Sequence, residues 1–162
     1  MQRLADVKER DATFREEKHL ASLTQPLVSN GVLHYAAPAQ VEKHTLAPVE
    51  EDLAVDGDHL TMTRAGAAPQ SLQLSDQPEL HALVTGIRGT LAGDLPALEH
   101  DYSVGLEGTP ERWRLTLVPL NGRVQHFLKV IRIDGRDGEV EDMQTVEANG
   151  DTSDMTITPQ SR

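Results

Sequence analysis

The chain has 162 residues, a formal net charge of −11, an apolar fraction of 38%, only 3% aromatic residues and no cysteine. So acidic a surface repels phosphate backbones and anionic headgroups, which argues against binding nucleic acid or a membrane surface. Disulfides, cysteine nucleophiles and thiolate metal sites are excluded, and no apolar run approaches the roughly 18 residues of a membrane helix. The length fits a single domain over residues 1–162, and the low apolar content predicts a thin core with much one-sided sheet.

Residues 3–10 read as part of a helix, with Leu4 and Val7 three apart on one face. From Phe14 to Pro48 the pattern has a period of two, the mark of strands that put alternate side chains on opposite faces. Phe14-x-Glu16-x-Lys18-x-Leu20 predicts strand one over about 12–22. Asn30-Gly31 opens strand two at 31–36, where Leu33 and Tyr35 share a face. Pro38 ends that strand, because proline cannot donate to the ladder and pushes the preceding residue out of it. Strand three covers Gln40 to Leu46 and is stopped by Pro48; strand four covers Glu50 to Val55. Asp56-Gly57 is a two-residue hairpin signal. It leads into strand five, His59 to Arg64, with Leu60 and Met62 on one side and Thr61 and Thr63 on the other. After the loop 65–69, strand six covers Ser71 to Leu74.

The period then changes. Leu80, Leu83, Val84, Ile87 and Leu91 lie at i, i+3, i+4, i+7 and i+11, one apolar stripe of an amphipathic helix. Asp76 with Glu79 three residues later has the form of a capping box. Gly86 and Gly89 each weaken such a helix by about 1 kcal/mol relative to alanine, which predicts close approach of the helix to the sheet. Gly93-Asp94 ends it, and Asp94 caps a shorter helix through about Glu99. Strands resume at Tyr102 to Leu106 and Arg112 to Val118, where Trp113, Leu115 and Leu117 alternate with Arg114 and Thr116. A helical turn near Val124 to Phe127 and strands at 128–134, 139–147 and 152–158 complete the pattern, with turns at Asp134-Gly135/Asp137-Gly138 and Asn149-Gly150. The fold class is α+β: a strongly curved antiparallel sheet of about ten strands, with helices covering its concave side. A curled sheet closed by helices encloses an apolar space, and such spaces hold ligands.

Catalytic and metal chemistry find no constellation. The seven histidines show none of the spacings that bring three or four zinc ligands together. The stretch Asp134 to Glu139 lacks the alternating carboxylates of a calcium loop and reads as hairpin chemistry. There is no Gly-x-Ser-x-Gly elbow and no phosphate loop, and Glu16 and Glu17 fall on opposite faces of one strand. No cofactor is expected. The stripe from Leu80 to Leu91 is open to two compatible readings: a helix that packs as core, or a lid over a ligand.

Taken in order, Phe14-x-Glu16, Gly31-x-Leu33-x-Tyr35-x-x-Pro38, Val55-Asp56-Gly57-x-x-Leu60, the helical pair and Trp113-x-Leu115-x-Leu117-x-Pro119 resemble the LolA-like family of outer-membrane lipoprotein carriers. The likeness is to the divergent branch often encoded near glycolipid or aryl-polyene biosynthesis genes, and it spans nearly the whole chain. It implies a half-open β-barrel with a helical lid and a cavity for acyl chains, and it implies no catalysis. It further implies a periplasmic protein, with a signal peptide removed ahead of Met1. Such a protein carries a lipid or lipoprotein cargo as a monomer, from an inner-membrane donor to an outer-membrane acceptor, without stable membrane insertion. The expected lining is Leu33, Tyr35, Leu60, Met62, Trp113 and Leu115 from the strands, and Leu80, Leu83, Val84, Ile87 and Leu91 from the helix. Typical members carry an arginine before the proline that ends strand two, thought to hold the lid shut; here that position is Ala37. The resemblance therefore implies a lid that opens easily and a cargo different from, or smaller than, a triacylated lipoprotein. The alternative is a non-catalytic protein-interaction module of the cell envelope that uses the same surface without lipid.

Overall fold

In the computed structural model, which describes residues 2–37 and 40–160, eleven antiparallel strands form one open sheet. A short helix α1 (Gln2–Ala5) precedes β1 (Glu9–His19), β2 (Leu27–Ala36), β3 (Gln40–Ala47), β4 (Glu51–Asp56), β5 (His59–Arg64) and β6 (Gln70–Gln73). A 3₁₀ turn, Leu74–Asp76, leads to the helical pair α2 (Pro78–Leu91) and α3 (Leu95–Asp101). The chain continues with β7 (Tyr102–Thr109), β8 (Arg112–Pro119), α4 (Gly122–Gln125), β9 (Leu128–Arg136), β10 (Glu139–Glu147) and β11 (Thr152–Pro159). The strand order is β6-β5-β4-β3-β2-β1-β11-β10-β9-β8-β7: two meanders joined where β1 pairs with β11, with β6 and β7 as the free edges.

Several local expectations give way to pairing. The N-terminal helix stops at Ala5, and residues 9–11 are strand, because Glu9, Arg10 and Asp11 pair with Ala36, Tyr35 and His34. Asn30-Gly31 does not open β2. That strand starts at Leu27, and the pair sits inside it at a register shift against β3. The expectation for Pro38 lies outside the described residues. Asp76 and Glu79 form no capping box. Gln77 is the N-cap and makes no side-chain bond, and Pro78 starts α2, where its missing N–H is no loss. The carboxylate that serves this corner is Asp58, which accepts from the Ser75 N–H at 2.8 Å and from its hydroxyl at 3.0 Å. Asp94 does cap α3, accepting from the Ala97 N–H at 3.1 Å. The β9–β10 turn is Asp137-Gly138, whereas Asp134-Gly135 is strand. A Cβ at Gly135 would run into the Trp113 indole.

The helix α2 touches both ends of the sheet. Leu80 and Val84 pack on Val55, Leu60 and Leu74. Ala82 and Leu83 pack among Leu98, Tyr102, Leu117 and Ile131. Strands β5 and β8 are eight steps apart in the strand order. At about 4.8 Å per strand, a flat sheet would put them about 38 Å apart, far beyond the reach of a helix about 10–12 Å across. The sheet must therefore bend until both ends meet one helix, as its twist allows.

Gly57 has φ +60° in the β4–β5 turn, between the paired residues Asp56 and His59. A β-branched side chain tolerates that backbone poorly, so Gly57→Val should cost about 1 kcal/mol or more of stability. The check is the urea midpoint, and an unchanged midpoint would contradict the turn's demand for glycine.

Candidate functional site

Cross-strand partners in a sheet point to the same side. The register carries one row across β6 to β1: Leu72, Leu60, Val55, Val41, Tyr35 and Arg10. Beside it run Met62, Leu53, Lys43, Leu33 and Ala12. A third row continues past β1 as Glu16, Met155, Met143, Ile133 and Leu115. Alternation along β1 and β8 puts all three rows and Trp113 on one face. The six strand residues expected to line a ligand site are thus brought to the face that α2 covers. Tyr35, Leu60, Trp113 and Leu115 are buried there; Leu33 and Met62 are half-buried. The Trp113 indole N–H donates to the Asp137 carbonyl at 3.0 Å.

The helix presents two different surfaces. Its buried residues are Ala82, Gly86, Gly89 and Thr90, a face of small side chains. The Tyr102 hydroxyl donates to the Ala82 carbonyl. A Cβ at Gly86 would sit 3.4 Å from Leu117 Cδ1 and 3.5 Å from Ile131 Cδ1. The close neighbour of Gly89 is α3 rather than the sheet: a Cβ there would lie 2.7 Å from Leu98 Cδ2. The longer apolar stripe, Leu80, Leu83, Val84, Ile87 and Leu91, is only half-buried throughout. Leu80 and Val84 flank one core cluster and Leu83 flanks the other, while Ile87 and Leu91 belong to neither. Arg88 holds this edge of the helix to the sheet, donating to the Gly57 carbonyl at 2.7 Å.

Charge on the covered face is concentrated in a few groups. Glu16 is buried, pairs with Lys43 at 3.1 Å and accepts from the Ser153 hydroxyl at 2.6 Å. The Lys43 ammonium also lies 5.2 Å from the centre of the Phe14 ring. Burial alone would raise the Glu16 pKa, but the Lys43 charge and the Ser153 hydrogen bond outweigh it and hold the carboxyl below its usual range. An ionised, fully engaged carboxylate is a structural anchor, not a general acid. Arg10 was expected in a helix, yet it sits on this face with its side chain nine-tenths buried. The signal for it was legible: Arg10, Ala12, Phe14 and Glu16 continue one period-two series.

The opposite face carries carboxylates and histidines. His34 Nδ1 lies 2.6 Å from Asp11 Oδ1, and His44 lies 3.3 Å from Glu50 and 3.6 Å from Asp52. Asp142 is raised to about 7, first by burial and then by its hydrogen bond to Asp154 and the charge there. Among the described residues, no three or more of these groups are arranged to hold a metal ion. Two open depressions, about 230 Å³ beside Glu42 and His59 and about 410 Å³ beside Arg114 and Asp134, are not lined by α2.

A family model described as "Outer membrane lipoprotein carrier protein LolA-like" matches residues 1–160. No curated protein sequence matches the chain. Among solved structures, the chain is similar to a LolA superfamily protein from Nitrosomonas europaea, with 8% identity and TM-score 0.45 over 99% of this chain and 92% of that one. It is also similar to a chain in the complex of the CwlD amidase with the GerS lipoprotein from Clostridioides difficile, at 12% identity and TM-score 0.44, covering 92% and 82% of the two chains. A third similarity is to a chain in the Pseudomonas aeruginosa MucA/MucB complex, at 12% identity and TM-score 0.46, covering 97% of this chain and 53% of that one.

Two outcomes follow from the ionised groups. Lys43→Met leaves Glu16 buried without its cation and should cost about 2 kcal/mol, below the figure for a fully buried pair because Lys43 reaches solvent. Adding Glu16→Gln should recover part of that loss, which a double-mutant cycle by urea denaturation measures. Because the folded pKa of Glu16 is depressed, the pair's contribution is present above the unfolded carboxylate range and disappears as pH falls through the folded value. Asp142 has the opposite sign. Its folded pKa is about 7 against 3.8, so the native state binds more protons between those values and stability falls as pH rises through that window. Asp142→Asn should flatten that part of the curve of melting temperature against pH, and an unchanged curve would show that Asp142 titrates normally.

Proposed function

The chain belongs to the LolA-like family of outer-membrane lipoprotein carrier proteins, and from that premise we propose that it is a non-catalytic periplasmic carrier for an acyl-chain cargo. The observation that carries this reading is the pair of surfaces on α2. The small-residue face seats the helix against the β7–β9 end of the sheet, while the leucine-rich stripe stays half-exposed where it faces apolar strands. A helix that served only as core would bury its largest apolar side chains first. In this reading α2 is the lid on the concave side. Cargo lies between Ile87, Leu91, Leu83 and Val84 on the helix and Leu33, Leu60 and Met62 on the sheet.

Energetics suit a carrier that must also release. Each buried methylene contributes about 0.8 kcal/mol, so half of a 14-carbon chain offers on the order of 5 kcal/mol, and ordering on binding takes back part of it. Ala37 supplies no cation to latch the lid, and Arg88 ties the lid to the hairpin through the Gly57 carbonyl. Exchange of cargo is then fast.

A second reading rests on a separate observation. Leu23, Leu27, Val28, Leu46 and Val49 are exposed, and the β1–β2 and β3–β4 connections bring them to one end of the sheet. An apolar end of this kind suits docking of a protein partner. In the carrier reading the partner is a donor or acceptor of cargo; in the alternative, partner binding is the whole function.

Titration with a fluorescent fatty acid separates the two. The natural protein should bind saturably with micromolar affinity, and Val84→Asp or Ile87→Asp should weaken binding by about tenfold or more through a buried charge. A folded, monomeric protein with no saturable binding would sink the carrier reading in favour of the interaction module.

A further inference from the structure

Directly opposite each other on β1 and β2, Arg10 and Tyr35 project onto the covered face at the end of the sheet where the β4–β5 and β9–β10 hairpins lie. Arg10 is held from three sides. Its Nη1 donates to the Gly138 carbonyl and to Glu139 at 3.3 Å, and its Nη2 donates to the Leu4 carbonyl at 3.0 Å. Its Nε is buried and has no partner among the described residues. The Tyr35 hydroxyl is in the same condition, on a residue only 2% exposed. Both groups are donors; Tyr35 interacts electrostatically with Arg10 and with Arg88, while Arg10 is paired with Glu139 and Arg88 lies near Asp58 and Asp56.

We propose that Arg10 and Tyr35, with the charge of Arg88 beside them, form an anion subsite that takes the carboxylate head of a single-chain amphiphile such as a free fatty acid. Buried donors left without acceptors are costly and rare. The two stand on directly opposed residues, and one carboxylate has two oxygens to offer them. Glu139 engages the Arg10 guanidinium at Nη1, and the positive charge at the unpartnered Nε edge favours an anion over a neutral carbonyl. Burial keeps the Tyr35 phenol above its ordinary pKa, so it stays a neutral donor at neutral pH. Chain direction follows from α2: Arg88 is followed one turn on by Leu91 and preceded by Ile87 and Val84 on the half-exposed stripe. A head held at Arg10 and Tyr35 leaves its chain beside that stripe. The proposal rests on the carrier reading and narrows its cargo to a charged, one-chain lipid.

Calorimetry on the intact protein with laurate, methyl laurate and acetate tests it. Laurate should bind about tenfold tighter than its methyl ester, the difference that hydrogen bonds to a charged group supply. Tyr35→Phe removes one oxygen atom, should keep or raise the melting temperature of the ligand-free protein, and should weaken laurate severalfold, more than it weakens methyl laurate. Equal affinity for laurate and its ester would overturn the anion subsite and leave the carrier reading standing. Acetate binding as tightly as laurate would identify a free small anion as the occupant and overturn the assignment to an amphiphile. Failure of both laurate and its ester to bind the folded protein would overturn the carrier reading itself.

Discussion

The contact of one helix with both ends of an eleven-strand sheet governs this molecule. A sheet of that length has two free edges and an apolar face too wide for its helices to cover if it lay flat. Seating α2 through Ala82, Gly86, Gly89 and Thr90 brings the helix axis close to Leu117, Ile131 and Leu98. Its other flank is then near enough for Leu80 and Val84 to meet Val55 and Leu60. The glycines that weaken α2 as an isolated helix are what allow this approach. Local helix propensity is given up for a tertiary contact.

The same contact explains why apolar side chains on α2 remain half-exposed. The small face is consumed by the β7–β9 end and by α3; Leu80 and Val84 are left to meet the β4–β6 end, and Ile87 and Leu91 join neither cluster. Those middle strands do not offer a uniform apolar surface. Glu16 with Lys43 and Ser153 places satisfied charge, and Arg10 with Glu139 paired charge, among Phe14, Ala12 and Met155. Ions of this kind add little net stability but penalise any register that leaves one of them unpaired. In a sheet whose face would otherwise be generic, they tie β1 to β3, β10 and β11.

The chain belongs to a carrier family, and the helix that bridges its sheet keeps apolar side chains half-exposed. Arg88 links that helix to the β4–β5 hairpin by donating to the Gly57 carbonyl. Carboxylates and histidines such as Asp11, His34, Asp52 and Asp142 lie on the outer face, and the apolar end around Leu27 and Val49 is exposed.

Much of this was legible in the residues. Period-two runs marked the strands, the change to a 3.6-residue period marked α2, Asp56-Gly57 marked a hairpin, and Asp94 marked the start of α3. Each of these is a local property, set by backbone sterics or by neighbours a few residues apart. Strand ends were less legible, because Glu9 to Asp11 and Leu27 to Asn30 become strand only through partners nine or more residues away. The leucine stripe was legible as apolar but not as half-buried, since pattern ranks side chains by apolarity while the closest seats, against Tyr102 and Leu98, go to Gly86 and Gly89. The rows that bring Leu33, Tyr35, Leu60, Met62, Trp113 and Leu115 to one face depend on register across the eight strand pairings from β5 to β8, and a slip of one residue in any of them would reverse a whole strand. Arg10 beside Tyr35 is the clearest case. The two are twenty-five positions apart in the chain, and their meeting with two unpaired buried donors follows from the β1–β2 ladder, which no local pattern encodes.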